Sequence, residues 1–172
     1  MIFLVTLLWI ATPIHAQLRE SKEQKIKAAF LVQFIKYVKW PSHCFTGVDD
    51  PIVIGIIGPD PFGSTIDKIS RSVSTKGRNV EVRRLRSLSG VEQCHILYIS
   101  SEKPERIEEI ITLLSNKPLI LVCDRSDFLT LGGTIQFIKV DSKMRFAINT
   151  TNLKRKGLKI SSKLLKVAHK VE

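Results

Sequence analysis

At 172 residues and a net charge of +11, the chain is sized for one domain that buries a core without metal or disulfide staples. Three cysteines are too few, and odd in number, for a disulfide framework. The basic balance points to nucleic acid, an anionic membrane surface or an acidic protein as partner.

The opening "MIFLVTLLWIATPIHA" is uncharged and ends in small residues. It is short for a membrane span, and polar "QLRESKEQK" follows it. The reading is a cleaved export signal over 1–16, with Ile14-His15-Ala16 as the cleavage box, and a single domain over 17–172. Export removes nucleic acid from the list of partners. A helix is expected from Ser21, which has capping-box spacing to Gln24, to Lys39, where Trp40-Pro41 stops it. Ile26, Phe30, Phe34, Tyr37 and Val38 share one face, the stripe of a helix that covers a sheet.

Next comes "IVIGIIGPDPFGSTIDKI", an apolar strand, a turn and a helix start. Gly58 and Gly63 have the separation of a phosphate loop, but Ser64 stands where that loop needs lysine, and Pro59 and Pro61 have no N–H to donate. The turn therefore speaks of fold rather than of phosphate. "NVEVRRL" alternates as a half-exposed or edge strand does. "CHILYIS" and "PLILVCD" are buried strands on either side of the helix "KPERIEEIITLLSN". Apolar strands alternating with helices imply parallel strands covered on both faces. "GGTIQFIKVDSKMRFAIN" reads as a hairpin turning at Asp141 and Ser142. "TTNLKRKG" is a short helix with Gly157 at its C-cap, and "SSKLLKVAHKV" a final helix begun by a serine cap. The fold expected is α/β: a three-layer sandwich with a mostly parallel central sheet of about six strands, helices on both faces, and a C-terminal β-hairpin plus two short helices.

His43-Cys44 and Cys94-His95 together hold four metal-ligand types. Neighbours on a strand point to opposite faces, so Cys94 and His95 cannot both grip one ion, and no metal or cofactor is expected. The pattern instead suggests a core cysteine beside a solvent-facing histidine. Cys94 opens one strand and Cys123 closes the next, about 15 Å apart at about 3.3 Å per residue, beyond the reach of a disulfide. Cys44–Cys94 remains a candidate bridge.

No G-x-S-x-G elbow is present, and no catalytic residue is assigned. Gly58, Ser100 and Asp124 fall at the carboxyl ends of strands, where open α/β sheets bind ligands, and form a candidate pocket for an exported small-ligand-binding protein or weak hydrolase. The clearest surface signal is the C-terminal run. Lys159, Lys163, Lys166 and Lys170 are spaced to make one basic stripe on the final helix. Leu153, Lys154, Arg155, Leu158, Lys159, Ile160 and Lys163 are the candidate docking residues, part apolar and part electrostatic, for an acidic partner. Anionic lipid headgroups are a weaker alternative, and a homodimer is also open.

"KAAFLVQFIKYVKWP", "GPDPFG", "CHILYIS", "GGTIQFI", "RFAIN" and "GLKISSKLLKVA" follow one another as they do in the YfiR-like family of exported bacterial proteins, which the chain resembles from Ile26 to Val171. The resemblance implies a periplasmic α/β sandwich without catalytic activity. It further implies binding to the periplasmic sensor domain of an inner-membrane diguanylate cyclase, which lowers cyclic-di-GMP and biofilm formation. Some members bridge the first buried strand to the position of Cys94; here that strand offers Gly55, so the bridge is absent. Ala147 stands where members often have an acid.

Overall fold

The computed structural model describes residues 14–101 and 104–172, with side chains over 22–101 and 106–172. The expected export signal lies, through residue 13, outside the described residues. The first helix, α1 (Ile14–Phe34), begins before the expected start and stops five residues short of Lys39. The reason is tertiary. After a 3₁₀ turn (Ile35–Tyr37), Val38–Lys39 forms a strand, β1, that pairs antiparallel with β9 (Lys159–Ile160). The extended backbone before Pro41 suits that pairing.

The remaining elements follow in chain order: β2 (Ile52–Ile57), α2 (Ser64–Arg71), β3 (Ser74–Thr75), β4 (Arg78–Leu85), β5 (Ile96–Ile99), α3 (Pro104–Leu113), β6 (Ile120–Cys123), β7 (Ile135–Val140) and β8 (Lys143–Ile148). After them come α4 (Thr150–Arg155), β9, α5 (Ser162–Val167) and β10 (Lys170–Val171). The main sheet runs β10-β8-β7-β6-β5-β2-β4-β3. Strands β4, β2, β5, β6 and β7 are mutually parallel, β8 returns antiparallel to β7, and two-residue strands close both edges. Six strands of four residues or more carry the sheet, and the hairpin β7–β8 is built into it rather than appended. Asp141 (φ 47°) and Ser142 (φ 61°) both take left-handed backbone, as a two-residue turn matched to strand twist requires.

Helices cover both faces. Ala28, Leu31, Phe34, Ile66, Leu153 and Leu164, from α1, α2, α4 and α5, pack on one side with the alternate residues Ile54, Ile56 and Tyr98. Ile107, Ile110, Ile111 and Leu114 of α3 and its end pack on the other, with Leu97, Ile99 and Leu121. The first layer is centred on Phe30, Phe34, Phe137 and Phe146, with ring centroids 5.0–6.2 Å apart. Edge-to-face geometry of this kind adds to simple area burial.

The final helix is shorter than its sequence pattern suggests. Alpha-helical structure ends at Val167, and Lys170–Val171 pairs parallel with Ala147–Ile148 of β8. Lys159, Lys163, Lys166 and Lys170 are all exposed, yet they belong to β9, α5 and β10, so the single helical stripe does not exist. Satisfying the outer hydrogen bonds of β8, such as His169 N–H to the Phe146 carbonyl at 2.9 Å, wins over continuing a short helix.

Candidate binding site

The β1–β9 ladder sets Lys39 directly opposite Lys159 and Val38 opposite Ile160. Opposed residues of an antiparallel pair hold their Cβ atoms about 5 Å apart, and like charges there repel. Both lysines are exposed, and neither makes an ion pair within the described residues. They border a cavity of about 320 Å³ that is lined also by Lys36, Lys76 and Arg78. Five cations thus surround this cavity, and no carboxylate lines it among the described residues.

Local structure explains two of these cations. Lys76 (φ 52°) and Gly77 (φ 80°) form the two-residue turn between β3 and β4. Asn-Gly is the preferred pair in such a turn, so a lysine here is held in backbone that lysine disfavours. Arg78 donates to the Gly47 carbonyl at 2.9 Å and the Asp50 carbonyl at 2.7 Å, and its guanidinium lies 4.0 Å over the Phe45 ring. Tyr37, Trp40 and Phe45 supply the aromatic lining. Behind them His95 stacks on Phe45 with centroids 4.7 Å apart and meets Trp40 edge-on at 5.5 Å.

His95 is 5% exposed, which corrects the solvent-facing assignment. Its Nδ1 accepts the Val53 N–H at 3.1 Å. Burial pushes its pKa down to about 4, so the ring is neutral and adds no charge to the cavity. Cys44 and Cys94 are free thiols. Cys44 packs against the layer of α1 and Cys94 belongs to the layer of α3, so the candidate bridge is not made. The two line a second cavity of about 960 Å³ at the amino ends of β2, β5 and β6. Burial pushes the Cys94 thiol up to about 11 and that of Cys44 above its ordinary value. Both therefore stay protonated and weakly nucleophilic. Among the described residues no group of three or more His, Cys, Asp or Glu could hold a metal.

The sequence-derived docking residues divide sharply. Leu153 (1% exposed) and Leu158 (3%) are core residues, not anchors for a partner. The α4 backbone turns Leu153 inward, the chain after Gly157 brings the Leu158 N–H to the Leu153 carbonyl at 3.1 Å, and Asn149 caps the helix by accepting the Asn152 N–H at 2.9 Å. Lys154, Arg155 and Lys163 are exposed on α4 and α5, while Lys159 and half-buried Ile160 line the five-cation cavity. Lys36, Lys39, Lys76 and Arg78 were missed. They are distant in sequence, and only the pairing of β1 with β9 and the β3–β4 turn bring them to the C-terminal lysines.

The carboxyl edge of the sheet takes a different form from an open pocket. Register places Ile57 beside Ile99 and Tyr98 beside Val122, so Gly58, Ser100 and Asp124 do reach one level. A Cβ on Gly58 would lie 2.9 Å from the Ser100 Cβ; these two residues fill each other's space. Asp124 is engaged by Lys27 at 2.9 Å, and Lys27 also pairs with Glu23 at 3.0 Å. Burial alone would raise the Asp124 pKa, but Lys27 and Ser101 outweigh it and hold the carboxyl below its usual range.

Comparison with known proteins decides the family. The family model for YfiR/HmsC-like proteins (DUF4154) matches residues 24–169. The chain belongs to the YfiR/HmsC-like family. This family is periplasmic and generally regulatory rather than catalytic. Among solved structures, an ABC domain in complex with L-Trp from Streptococcus pneumonia shares 12% identity at a TM-score of 0.55, over 84% of this chain and 60% of that one. A conserved domain protein from Vibrio cholerae O1 biovar eltor strain N16961 matches at 12% identity and TM-score 0.55, over 87% of this chain and 60% of that one. The YfiR/HmsC-like chain therefore spans about 60% of either neighbour, and at this identity the likeness is one of fold.

Proposed function

We propose that this YfiR/HmsC-like protein is a non-enzymatic periplasmic regulator. It binds the periplasmic sensor domain of an inner-membrane diguanylate cyclase and represses cyclic-di-GMP synthesis, and hence biofilm formation. The observation that carries the reading is Lys39 opposed to Lys159 in the lining of a cavity that holds five cations. Such an arrangement costs stability in the free protein and is relieved when an anion sits between the two ammonium groups. An acidic loop on the sensor domain supplies that anion, and the aromatic lining offers a dry contact to an apolar side chain next to it. Family membership supports the regulatory part. The acidic partner is argued from charge.

Isothermal titration of the protein against the purified periplasmic domain tests it. Binding that weakens at least tenfold in Lys39→Glu/Lys159→Glu is the expected result; unchanged affinity removes the cavity from the interface.

A second reading is favoured by the size of the cavity, which at about 320 Å³ lies at the small end of small-molecule sites. A small organic anion held by the same cations would make the protein a ligand-responsive regulator. A thermal-shift screen with organic anions separates the two, because a tight ligand raises the melting temperature by mass action.

A further inference from the structure

Four large aliphatic side chains are strongly exposed among the described residues: Val48, Leu113, Val167 and Val171. Val48 adjoins Asp49 and Asp50 in sequence, and Leu113 is four residues from both Glu109 and Lys117. Val167 and Val171 have different company. From Asn149 to Val171 the chain holds no carboxylate. On α5, Lys163, Lys166 and Val167 are exposed at i, i+3 and i+4, which is one helix face. Leu164, Leu165 and Ala168 hold the opposite face in the α1-side layer.

Register places Val171 as well. It stands opposite Ile148, which packs in that same α1-side layer, whereas Lys170 stands opposite Ala147 of the other layer. Val171 therefore lies on the side of the sheet that α5 covers, four residues beyond Val167. Lys170 points to the other side and pairs with Glu172 at 2.5 Å. Neither Lys163 nor Lys166 makes an ion pair with a described residue.

We propose that Lys163, Lys166, Val167 and Val171 form a contact surface for an anionic phospholipid bilayer. The lysines meet headgroup phosphates, and the two valines, 64% and 46% exposed in solution, enter the interfacial region. Aliphatic side chains set beside unpaired lysines are the pattern of interfacial binding, whereas a merely solvated face needs only the lysines. None of these four residues lines the five-cation cavity, and the surface does not rest on the assignment of a protein partner.

Sedimentation of the purified protein with phosphatidylglycerol-containing vesicles, against pure phosphatidylcholine vesicles, tests this. At about 1 kcal/mol per surface lysine, K163Q/K166Q reduces partitioning by about 30-fold. V167S/V171S leaves the charge unchanged and reduces it by about tenfold, since each valine is about half free to insert. K22Q/K25Q, the same charge change on α1, alters it less than twofold. Free inorganic phosphate at the concentration of lipid phosphate does not compete, because it offers nothing to the valines. The proposal is overturned if the protein stays in the supernatant with phosphatidylglycerol vesicles, if V167S/V171S binds as well as the wild type, or if K22Q/K25Q loses as much as K163Q/K166Q.

Discussion

A Cβ built on Gly55 falls 2.7 Å from the Sγ of Cys94, across the β2–β5 pair. The thiol occupies the space a side chain at position 55 would take, which is about the separation across a disulfide. Gly55→Cys is therefore expected to bridge to Cys94 after small shifts of the Leu97 and Leu85 methyls, 3.0 and 3.3 Å from the same point. Closing a loop of about 40 residues adds on the order of 3 to 4 kcal/mol. Thiol titration should find only Cys44 and Cys123 free. Gly55→Val, which adds bulk without a bond, should lose about 1–3 kcal/mol instead.

Lys156 is 4% exposed, and its Nζ donates to the Leu114 carbonyl at the end of α3. Burial, with a smaller contribution from Arg155, pushes its pKa down from 10.5 to about 8. The unfolded chain then binds more protons between those two values, so this group makes stability rise as pH climbs from about 8 to about 10.5. Below pH 8 the charged form carries its full cost. Lys156→Met should raise stability at pH 7 by about 1–2 kcal/mol and flatten that part of the pH profile. Urea midpoints across the range measure both effects.

The Lys27–Asp124 pair ties α1 to the end of β6 with side chains 11% and 25% exposed. Burial would lower the Lys27 pKa, but Asp124 and Glu23 outweigh it and raise it. Lys27→Met leaves a part-buried carboxylate without its ammonium partner and should cost about 3 kcal/mol. Because the Asp124 carboxyl is held low, its contribution is present above the ordinary carboxylate range and is lost as pH falls through the folded value. Asp124→Asn should accordingly show a shallower acid-unfolding curve than the wild type.

Leu153 sits at 1% exposure in the α1-side core. Leu153→Ala should lower unfolding free energy by about 2–5 kcal/mol, read from denaturant melts, and Leu153→Asp should fail to fold at all. Loss of repression by either variant therefore reports on the fold and not on a partner interface.

Most of the sheet was legible because its strands are continuous apolar runs bounded by Gly, Pro and Asn, and period alone separates these from the helix over Pro104–Leu113. The hairpin turn at Asp141-Ser142 was legible for the same reason. What failed was long-range. Nothing local says that Val38-Lys39 leaves the helix to pair with Lys159-Ile160, or that Lys170-Val171 leaves a helix to close the edge of β8. Leu153 illustrates the limit at the site. An apolar residue among "KRK" looks like a surface anchor in sequence, but the turn of α4 directs it into the core, and the cations that do converge come from the 3₁₀ turn after α1, β1, the β3–β4 turn, β4 and β9.

Cyclic-di-GMP measured in the native host, with this gene deleted and then restored as wild type or as Lys39→Glu/Lys159→Glu, bears most directly on the regulatory assignment. Deletion should raise the level, the wild type should lower it again, and the charge-reversed protein, folded and exported to the same amount, should leave it high. An unchanged level on deletion, or full repression by the charge-reversed protein, would contradict the account.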